Sequence, residues 1–155
     1  MRDACVSLPA LLDVNVLVAL FHPDHIHHET AHDWFEDHRQ FGWATCGITE
    51  NGFVRVLAQV VEDAPLTRSA ALVERLRAFR ESGGHRFWPD AVSLTDSRTF
   101  NPAMIRGHRQ VTDVYLLGLA RTMGGCLATF DGTIPLESVV GATRETLQVI
   151  APGAR

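Results

Sequence analysis

An apolar run near the start of the chain is interrupted by one carboxylate and one carboxamide. It reads ALLDVNVLVAL from Ala10 to Leu20, and Asp13 and Asn15 are its polar members. The run is too short to cross a bilayer, so we expect no association with a membrane. It predicts a buried strand that ends at Asp13 and a short helix over residues 14–21.

Later stretches alternate between helical spacing and short apolar runs. The spacing predicts helices over residues 25–38, 49–61 and 112–123, and another that starts at Thr67 and ends at the Gly83-Gly84 pair. The apolar runs predict strands over residues 42–46, 85–88, 126–130 and 147–150. Residues 89–110 have little periodicity and are interpreted as a functional loop. This alternation indicates an α/β fold around a mainly parallel sheet.

Length and composition predict one globular domain. The chain has 155 residues, of which 46% are apolar and 21% charged, so we expect a single domain over residues 1–150 and a frayed tail over 151–155. Three cysteines lack the spacing of zinc or disulfide sites, and the N-terminus makes a poor signal peptide, which together predict a cytoplasmic protein. The cysteines are Cys5, Cys46 and Cys126, and the tryptophans expected in the core or an interface are Trp34, Trp43 and Trp88.

The charge pattern excludes several kinds of site. All 14 basic residues are arginine, so lysine Schiff bases and phosphate-loop lysines are excluded. The net charge of −4 argues against nonspecific binding of nucleic acid over the whole surface. A polyanion would therefore be held locally, by a metal or by arginines. The alternative interpretation is that these arginines pair with acidic side chains on the surface. The candidate arginines are Arg86, Arg98, Arg106 and Arg109.

Four carboxylates occupy equivalent places in this predicted order. Asp13 and Asp131 end apolar strands, whereas Glu50 and Asp113 lie in the first turns of helices, on their apolar faces. Taken singly, each has an ordinary explanation as a helix-terminus charge or a turn residue. In a right-handed βαβ fold, however, strand ends and helix starts share one edge of the sheet, so we expect all four to converge.

Converging carboxylates repel one another and are relieved by protonation or by a divalent cation. Oxygen ligands without histidine or thiolate favour Mg²⁺ or Mn²⁺. Such ions bind phosphates and activate water for in-line displacement, which leaves a 3′-hydroxyl and a 5′-phosphate. The four acids therefore predict a metal-dependent phosphodiesterase site.

Four segments of the chain resemble PIN-domain ribonucleases, and specifically VapC-type toxins of toxin–antitoxin pairs. They are LLDVNVLVAL, ITENGFVRVL, HRQVTDVYLLGLA and LATFDG, which occur in the family's order and approximate spacing over almost the whole chain. The resemblance implies a three-layer α/β/α fold with a central twisted sheet, and an endoribonuclease that requires Mg²⁺ or Mn²⁺. It also implies a cognate VapB-type antitoxin, a homodimer, and tRNA, rRNA or mRNA as the substrate.

The family's acidic positions correspond to Asp13, Glu50, Asp113 and Asp131. We expect Asp13 and Asp113 to be direct metal ligands, Glu50 to orient the attacking water, and Asp131 to act through water or on a second ion. The family's polar residue two positions after the first acid corresponds to Asn15, which is interpreted as orienting an acid or contacting metal-bound water.

Two threonines border the acids. Thr112 and Thr129 are candidates for positioning water or phosphate, although Thr112 is also interpreted as a helix cap. Arg106 and Arg109 are candidates for contacting the phosphate backbone.

Other interpretations remain open. A phosphohydrolase of the HAD type also begins with a strand ending in Asp, but it needs an Asp where this chain has Asn15, and a later lysine. A non-catalytic PIN module that binds RNA or protein is the second alternative, and the presence of all four acids argues against it.

The histidines offer a weaker metal signal. His25, His28 and His32 have helical zinc spacing, but a solvated polar face explains them more simply. His85 and His108 lie in or beside the loop region and are interpreted as surface residues, with contact to RNA as an alternative for His108.

Overall fold

A five-stranded parallel sheet forms the centre of the computed structural model, which describes residues 7–60 and 65–152. Its strands, in spatial order, are β3 (His85–Trp88), β2 (Trp43–Cys46), β1 (Ala10–Leu12), β4 (Cys126–Thr129) and β5 (Leu147–Val149). β1 lies in the middle, with Ala10 beside Trp43 of β2 on one side and beside Cys126 of β4 on the other. The predicted parallel sheet is therefore confirmed.

Among the described residues, five α-helices connect the strands and cover both faces of the sheet. They are α1 (Val14–Phe21), α2 (His28–His38), α3 (Gly47–Val60), α4 (Pro65–Arg80) and α5 (Val111–Thr122). Each matches a predicted helix, but α2 begins at His28 rather than at residue 25. Residues 22–27 form turns, because Pro23 stops α1 and the chain must reverse before α2 begins. In the part of the chain that the structure describes, no helix has the length and apolarity needed to cross a membrane.

Two hydrophobic clusters lie on opposite faces of the sheet. One is formed by β1 and β2 with α1, α2, α3 and α4, and includes Trp34 and Trp43. The other packs α5 and the segments around it against the opposite face, and includes Trp88. The three layers predicted by the family resemblance are therefore present, and all three tryptophans are core residues. Cys46 and Cys126 are buried in their strands, whereas Cys5 lies outside the described residues.

Histidines at the start of α2 bind the end of α1. His28 Nδ1 lies 2.6 Å from the carbonyl oxygen of Ala19, and His32 Nε2 lies 2.7 Å from that of Leu20. These carbonyls belong to the last turn of α1, where no helical partner is available. His25 lies outside the helix, and its Nδ1 accepts a hydrogen bond from the His27 backbone 3.0 Å away. The zinc alternative thus gives way to a structural role for His28 and His32.

The long loop between β3 and α5 is anchored at its middle by a buried aromatic ring. Phe100 is 1% exposed, pairs with Val139 in an isolated antiparallel bridge, and has its ring centroid 6.4 Å from that of Tyr115 on α5. A methyl group at Gly118 of α5 would overlap the Phe100 ring. The absence of a side chain at Gly118 therefore allows the loop to dock on α5.

We predict that Gly118→Ala lowers the free energy of unfolding by about 1–3 kcal/mol, because the Phe100 ring must move in a close-packed core. Denaturant unfolding monitored by circular dichroism measures the change. The control is Gly47→Ala in α3, where an added methyl meets nothing within 4 Å among the described residues. Equal stability of Gly118→Ala and wild type would contradict this packing.

Candidate active site

Asp13 lies between β1 and α1 and is held by two hydrogen bonds. Its Oδ1 accepts from the backbone N–H of Val14 at 2.7 Å, and its Oδ2 accepts from the hydroxyl of Thr129 at 2.8 Å. The residue is 6% exposed and is the N-cap of α1. The carboxylate is thus buried at the positive end of a helix dipole, at the carboxyl end of the central strand.

Thr129 connects Asp13 to Asp131. Its hydroxyl donates to Asp13 and also accepts from the backbone N–H of Asp131 at 3.1 Å. Thr129 is fully buried, so it positions the two acids from behind and does not reach a substrate. The Asp131 carboxylate is fixed in turn by Thr133, whose N–H and hydroxyl donate to Oδ1 at 2.8 and 2.6 Å.

Asp113 completes this group from the first turn of α5. Burial, and after it the negative charges of Asp13 and Asp131, together raise its pKa to about 6. Burial likewise raises the pKa of Asp13, against the lowering effect of its bonds to Thr129 and Val14, and the charge of Asp131 adds to the rise. Asp13, Asp113 and Asp131 therefore interact as one cluster, which we call the acidic site.

The fourth predicted acid, Glu50, has a different partner. It lies in the first turn of α3 as expected, but its Oε1 and Oε2 accept from Nη1 of Arg80 on α4 at 2.8 and 3.2 Å. The charges that raise the pKa values of the acidic site come from the site's own members. The structure thus brings three of the four acids together, and the participation of Glu50 stays a prediction.

Asn15 and Thr112, the next predicted site residues, lie close in the chain to Asp13 and Asp113. Asn15 is exposed on the first turn of α1. Thr112 is exposed and is not the N-cap of α5, so the interpretation of Thr112 as a helix cap is wrong. A 3₁₀ turn over residues 108–110 runs directly into the helix and makes Gln110 the residue before it, without a capping bond from its side chain.

Gln110 has a role that the sequence did not suggest. Its Oε1 accepts from the backbone N–H of Arg106 at 3.1 Å, and its Nε2 donates to the carbonyl of Thr133 at 3.2 Å. It therefore ties the segment before α5 to the turn after β4. Arg106 and Arg109 are exposed beside this tie, whereas Arg98 pairs with Asp96 at 3.2 Å. An amide has no distinctive sequence signal for such a bridge, but a threonine two positions after Asp131 is a recognisable turn signal.

His85 is less exposed than predicted. It opens β3, and its Nε2 lies 2.7 Å from the hydroxyl of Thr45. Burial, together with the nearby charge of Arg80, lowers its pKa to about 4. His85 is therefore neutral at pH 7 and makes a structural hydrogen bond. His108 is exposed, as predicted.

The donor chemistry of the acidic site suits a hard divalent cation. Within residues 7–60 and 65–152, no three His, Cys, Asp or Glu side chains are grouped closely enough to hold one ion. Burial nevertheless raises the pKa values of Asp13 and Asp113, and the charges of the neighbouring acids add to both rises. Oxygen donors that carry excess negative charge are the ligands that Mg²⁺ and Mn²⁺ prefer.

We predict that Asp113→Asn stabilises the metal-free protein by about 1–2 kcal/mol at neutral pH, less than the full pKa shift implies because the side chain is only partly buried. A folded-state pKa of about 6, above the ordinary 3.8, means that the folded protein holds this proton more tightly than the unfolded chain does. The wild type therefore loses stability as the pH rises from about 4 to about 6, and the variant does not lose this contribution. Urea unfolding in EDTA across this range measures the difference.

The matched control is Glu29→Gln, which removes an exposed acid from the first turn of α2. We expect this change to lower stability by about 0.3–1 kcal/mol, because it removes only a favourable interaction with the helix dipole. If Asp113→Asn also lowers stability at neutral pH, then burial and repulsion of the charged Asp113 carboxylate do not destabilise the fold as predicted.

Comparison with known proteins agrees with this arrangement. The family model for the PIN domain matches residues 10–135, a span that contains all four predicted acids. The chain is 42% identical over 141 residues to ribonuclease VapC44 of Mycobacterium tuberculosis, which covers 91% of this chain and 99% of that protein. It is 49% identical over 127 residues to ribonuclease VapC38 of the same organism, with 81% and 86% covered.

Ribonuclease VapC39 of Mycobacterium tuberculosis is 42% identical to the chain over 127 residues, which cover 82% of this chain and 91% of that protein. The family match spans most of the chain, so the HAD alternative is dropped. Together with the parallel sheet and the acids at its carboxyl edge, these matches show that the chain belongs to the PIN-domain family.

Proposed function

We propose that this protein is a VapC-type endoribonuclease that requires Mg²⁺ or Mn²⁺ and serves as the toxin of a toxin–antitoxin pair. The observation that carries the proposal is the acidic site, in which Asp13, Asp113 and Asp131 from three distant parts of the chain share one electrostatic environment. The relatives named ribonuclease, at 42–49% identity, support the same reaction class.

In this proposal Asp13 and Asp113 hold the metal directly, and Asp131 acts through water or on a second ion. The bound ion would supply positive charge against the phosphate and would activate a water molecule. Thr129 keeps Asp13 and Asp131 in place through the two hydrogen bonds of its hydroxyl. Thr133 and Gln110 fix the turn after β4 by hydrogen bonds to Asp131 and to Thr133, respectively. The acids are therefore held in place before substrate binds.

The reaction is the hydrolysis of an RNA phosphodiester. Water adds to phosphorus, the bond to the 3′-oxygen breaks, and that oxygen takes up a proton. The products are a 3′-hydroxyl and a 5′-phosphate. Glu50 would orient the attacking water, which requires that its ion pair with Arg80 open or that it act through an intervening water.

RNA would be held locally, because the chain carries a net charge of −4. Arg106 and Arg109 are exposed just before α5 and would contact backbone phosphates that lead to Asp113. The proposed substrates are cytoplasmic tRNA, rRNA or mRNA. A VapB-type antitoxin is the proposed partner, and a homodimer the proposed assembly.

We predict that wild-type protein, purified free of antitoxin, cleaves RNA in Mg²⁺ or Mn²⁺ and is inactive in EDTA. Asp13→Asn should lower the cleavage rate at least about a hundredfold, because it removes a metal-binding charge. Gel analysis of labelled RNA measures the rate, and ligation of the products tests for the 3′-hydroxyl and 5′-phosphate ends.

The control for Asp13→Asn is Asp24→Asn, which removes an exposed carboxylate from the turn after α1 and should leave the rate unchanged. Calorimetric titration with Mn²⁺ provides a second measurement, in which Asp113→Asn should lose most of the binding heat. Cleavage by Asp13→Asn at the wild-type rate would refute this site. Absence of both cleavage and Mn²⁺ binding in wild type would favour a non-catalytic PIN module.

We predict that Glu50→Gln lowers kcat more than Arg80→Gln does. Each variant breaks the same ion pair, whose side chains are 18% and 38% exposed, at a cost of under about 1 kcal/mol, and Arg80→Gln also loses the contact of its guanidinium with the Phe87 ring. Only Glu50→Gln also removes the charge proposed to orient water. Steady-state cleavage kinetics and urea unfolding of the two variants separate these effects. Equal kcat values would restrict Glu50 to the ion pair.

A further inference from the structure

A cavity of about 690 Å³ lies at the edge of the sheet where β2 and β3 end, and none of the proposed catalytic residues lines it. The side chains that line this cavity include Cys46, Ile48, Phe87, Asp90, Ser93 and Tyr115. The cavity therefore combines aliphatic, aromatic and acidic side chains at the carboxyl edge of a parallel sheet, which is where such folds bind ligands.

The sheet register places this cavity next to the acidic site. Leu11 of β1 is the partner of Ala44 in β2. Asp13 follows the last residue of β1, and Cys46 is the last residue of β2, so both lie at the carboxyl edge of neighbouring strands, which are about 4.8 Å apart. A wall of the cavity and a member of the acidic site are therefore adjacent along the edge.

The first turn of α5 separates the two sites. Asp113 and Tyr115 are two residues apart, so their side chains point about 200° apart around the helix axis. Asp113 interacts with Asp13 and Asp131, whereas Tyr115 lines the cavity. The acidic site and the cavity are thus separated by a distance on the order of one helix diameter, about 10 Å. If single-stranded RNA binds with one phosphate at the acidic site, the base of a neighbouring nucleotide can therefore reach the cavity.

The walls of the cavity suit a flat, hydrogen-bonding ring. Phe87 is 46% exposed and Ile48 is 40% exposed, so both present apolar surface to a ligand in the cavity. The guanidinium of Arg80 lies 5.3 Å from the centre of the Phe87 ring. Tyr115 and Asp90 both line the cavity, so it offers a hydroxyl donor and a carboxylate acceptor.

We propose that this cavity binds a guanine base of single-stranded RNA, one nucleotide or so from the phosphate at the acidic site. The inference rests on the proposed ribonuclease function for its choice of RNA. The Watson–Crick edge of guanine presents N1–H and N2–H₂ as adjacent donors, which match the two oxygens of the Asp90 carboxylate. Phe87 and Tyr115 supply aromatic surface for the ring, as in other proteins that read single-stranded RNA.

The other bases fit Asp90 less well. Adenine and cytosine each present one amino group beside a ring nitrogen that is an acceptor, and uracil presents one N–H between two carbonyls. In each of them an acceptor would face the carboxylate. A wholly apolar protein segment would cover Asp90 without giving it a donor, which costs free energy. The Asp90 carboxylate therefore favours guanine over the other three bases and over an apolar protein segment.

The test uses guanosine, inosine and uridine, which carry no phosphate and so do not depend on the acidic site or on a metal. Titration in EDTA, followed by backbone amide shifts of residues 87–94, gives the dissociation constants. We expect guanosine to bind about tenfold more tightly than uridine, and inosine, which lacks the 2-amino group, to lie between them. Phe87→Ala should weaken guanosine binding about tenfold. Asp90→Asn should remove the difference between guanosine and inosine.

The matched control is Val140→Ala, which truncates a side chain that is 45% exposed, much like Phe87, and lies outside the cavity lining. It should leave all three dissociation constants unchanged. Unfolding curves of Phe87→Ala and Asp90→Asn establish that both are folded, and Tyr115→Phe, which removes only a hydroxyl, provides a milder third variant. Equal binding of guanosine and uridine, or no amide shifts in residues 87–94, would overturn the inference.

Cleavage assays separate this inference from the proposed function. Metal-dependent cleavage with no preference for guanine, unchanged by Phe87→Ala or Asp90→Asn, overturns the guanine site and leaves the ribonuclease standing. Weaker binding of the antitoxin by Phe87→Ala, with unchanged nucleoside binding, would identify the cavity as a protein-docking surface instead. Selective guanosine binding without any cleavage would support the cavity and count against the catalytic proposal.

Discussion

The cost of keeping charge on carboxylates that are removed from water and lie near one another is the constraint that the rest of this structure accommodates. Asp13 is 6% exposed and lies within the electrostatic reach of Asp131, and both act on Asp113. The start of α1 and the Thr129 hydroxyl stabilise the charge on Asp13, but burial still raises its pKa. A site with this excess of negative charge opposes folding at neutral pH, and the proposed divalent cation would relieve this cost.

The parallel sheet explains why these acids meet. Every strand of the described sheet runs in the same direction, so the ends of β1 and β4 and the start of α5 share one edge. Local bonds then set the finer geometry. Thr129 joins Asp13 to Asp131, and Gln110 joins the segment before α5 to the turn after β4. Topology therefore gathers the charges, and a few hydrogen bonds fix their positions.

The sequence allowed the elements and three of the acids to be predicted, because both depend on local pattern. Apolar spacing locates the helices within a few residues, and the alternation of strands and helices predicts a mainly parallel sheet. The partner of Glu50 was not predictable in this way. Arg80 lies 30 residues later, and its approach depends on how α4 packs against α3. The ties made by His28 and His32 to α1 likewise depend on the turn between two helices.

Cation binding and stability are coupled in such a site. An ion that binds only the folded protein stabilises it by RT ln(1 + [M]/Kd), or about 2.7 kcal/mol when the ion is at 100 times its Kd. That amount is comparable to the cost of keeping Asp113 charged, which is at most about 3 kcal/mol for a pKa raised to about 6. The combined cost of burial and repulsion at Asp113 is therefore of the size that one bound divalent ion would offset, and this balance connects the charge of the acids with the proposed reaction.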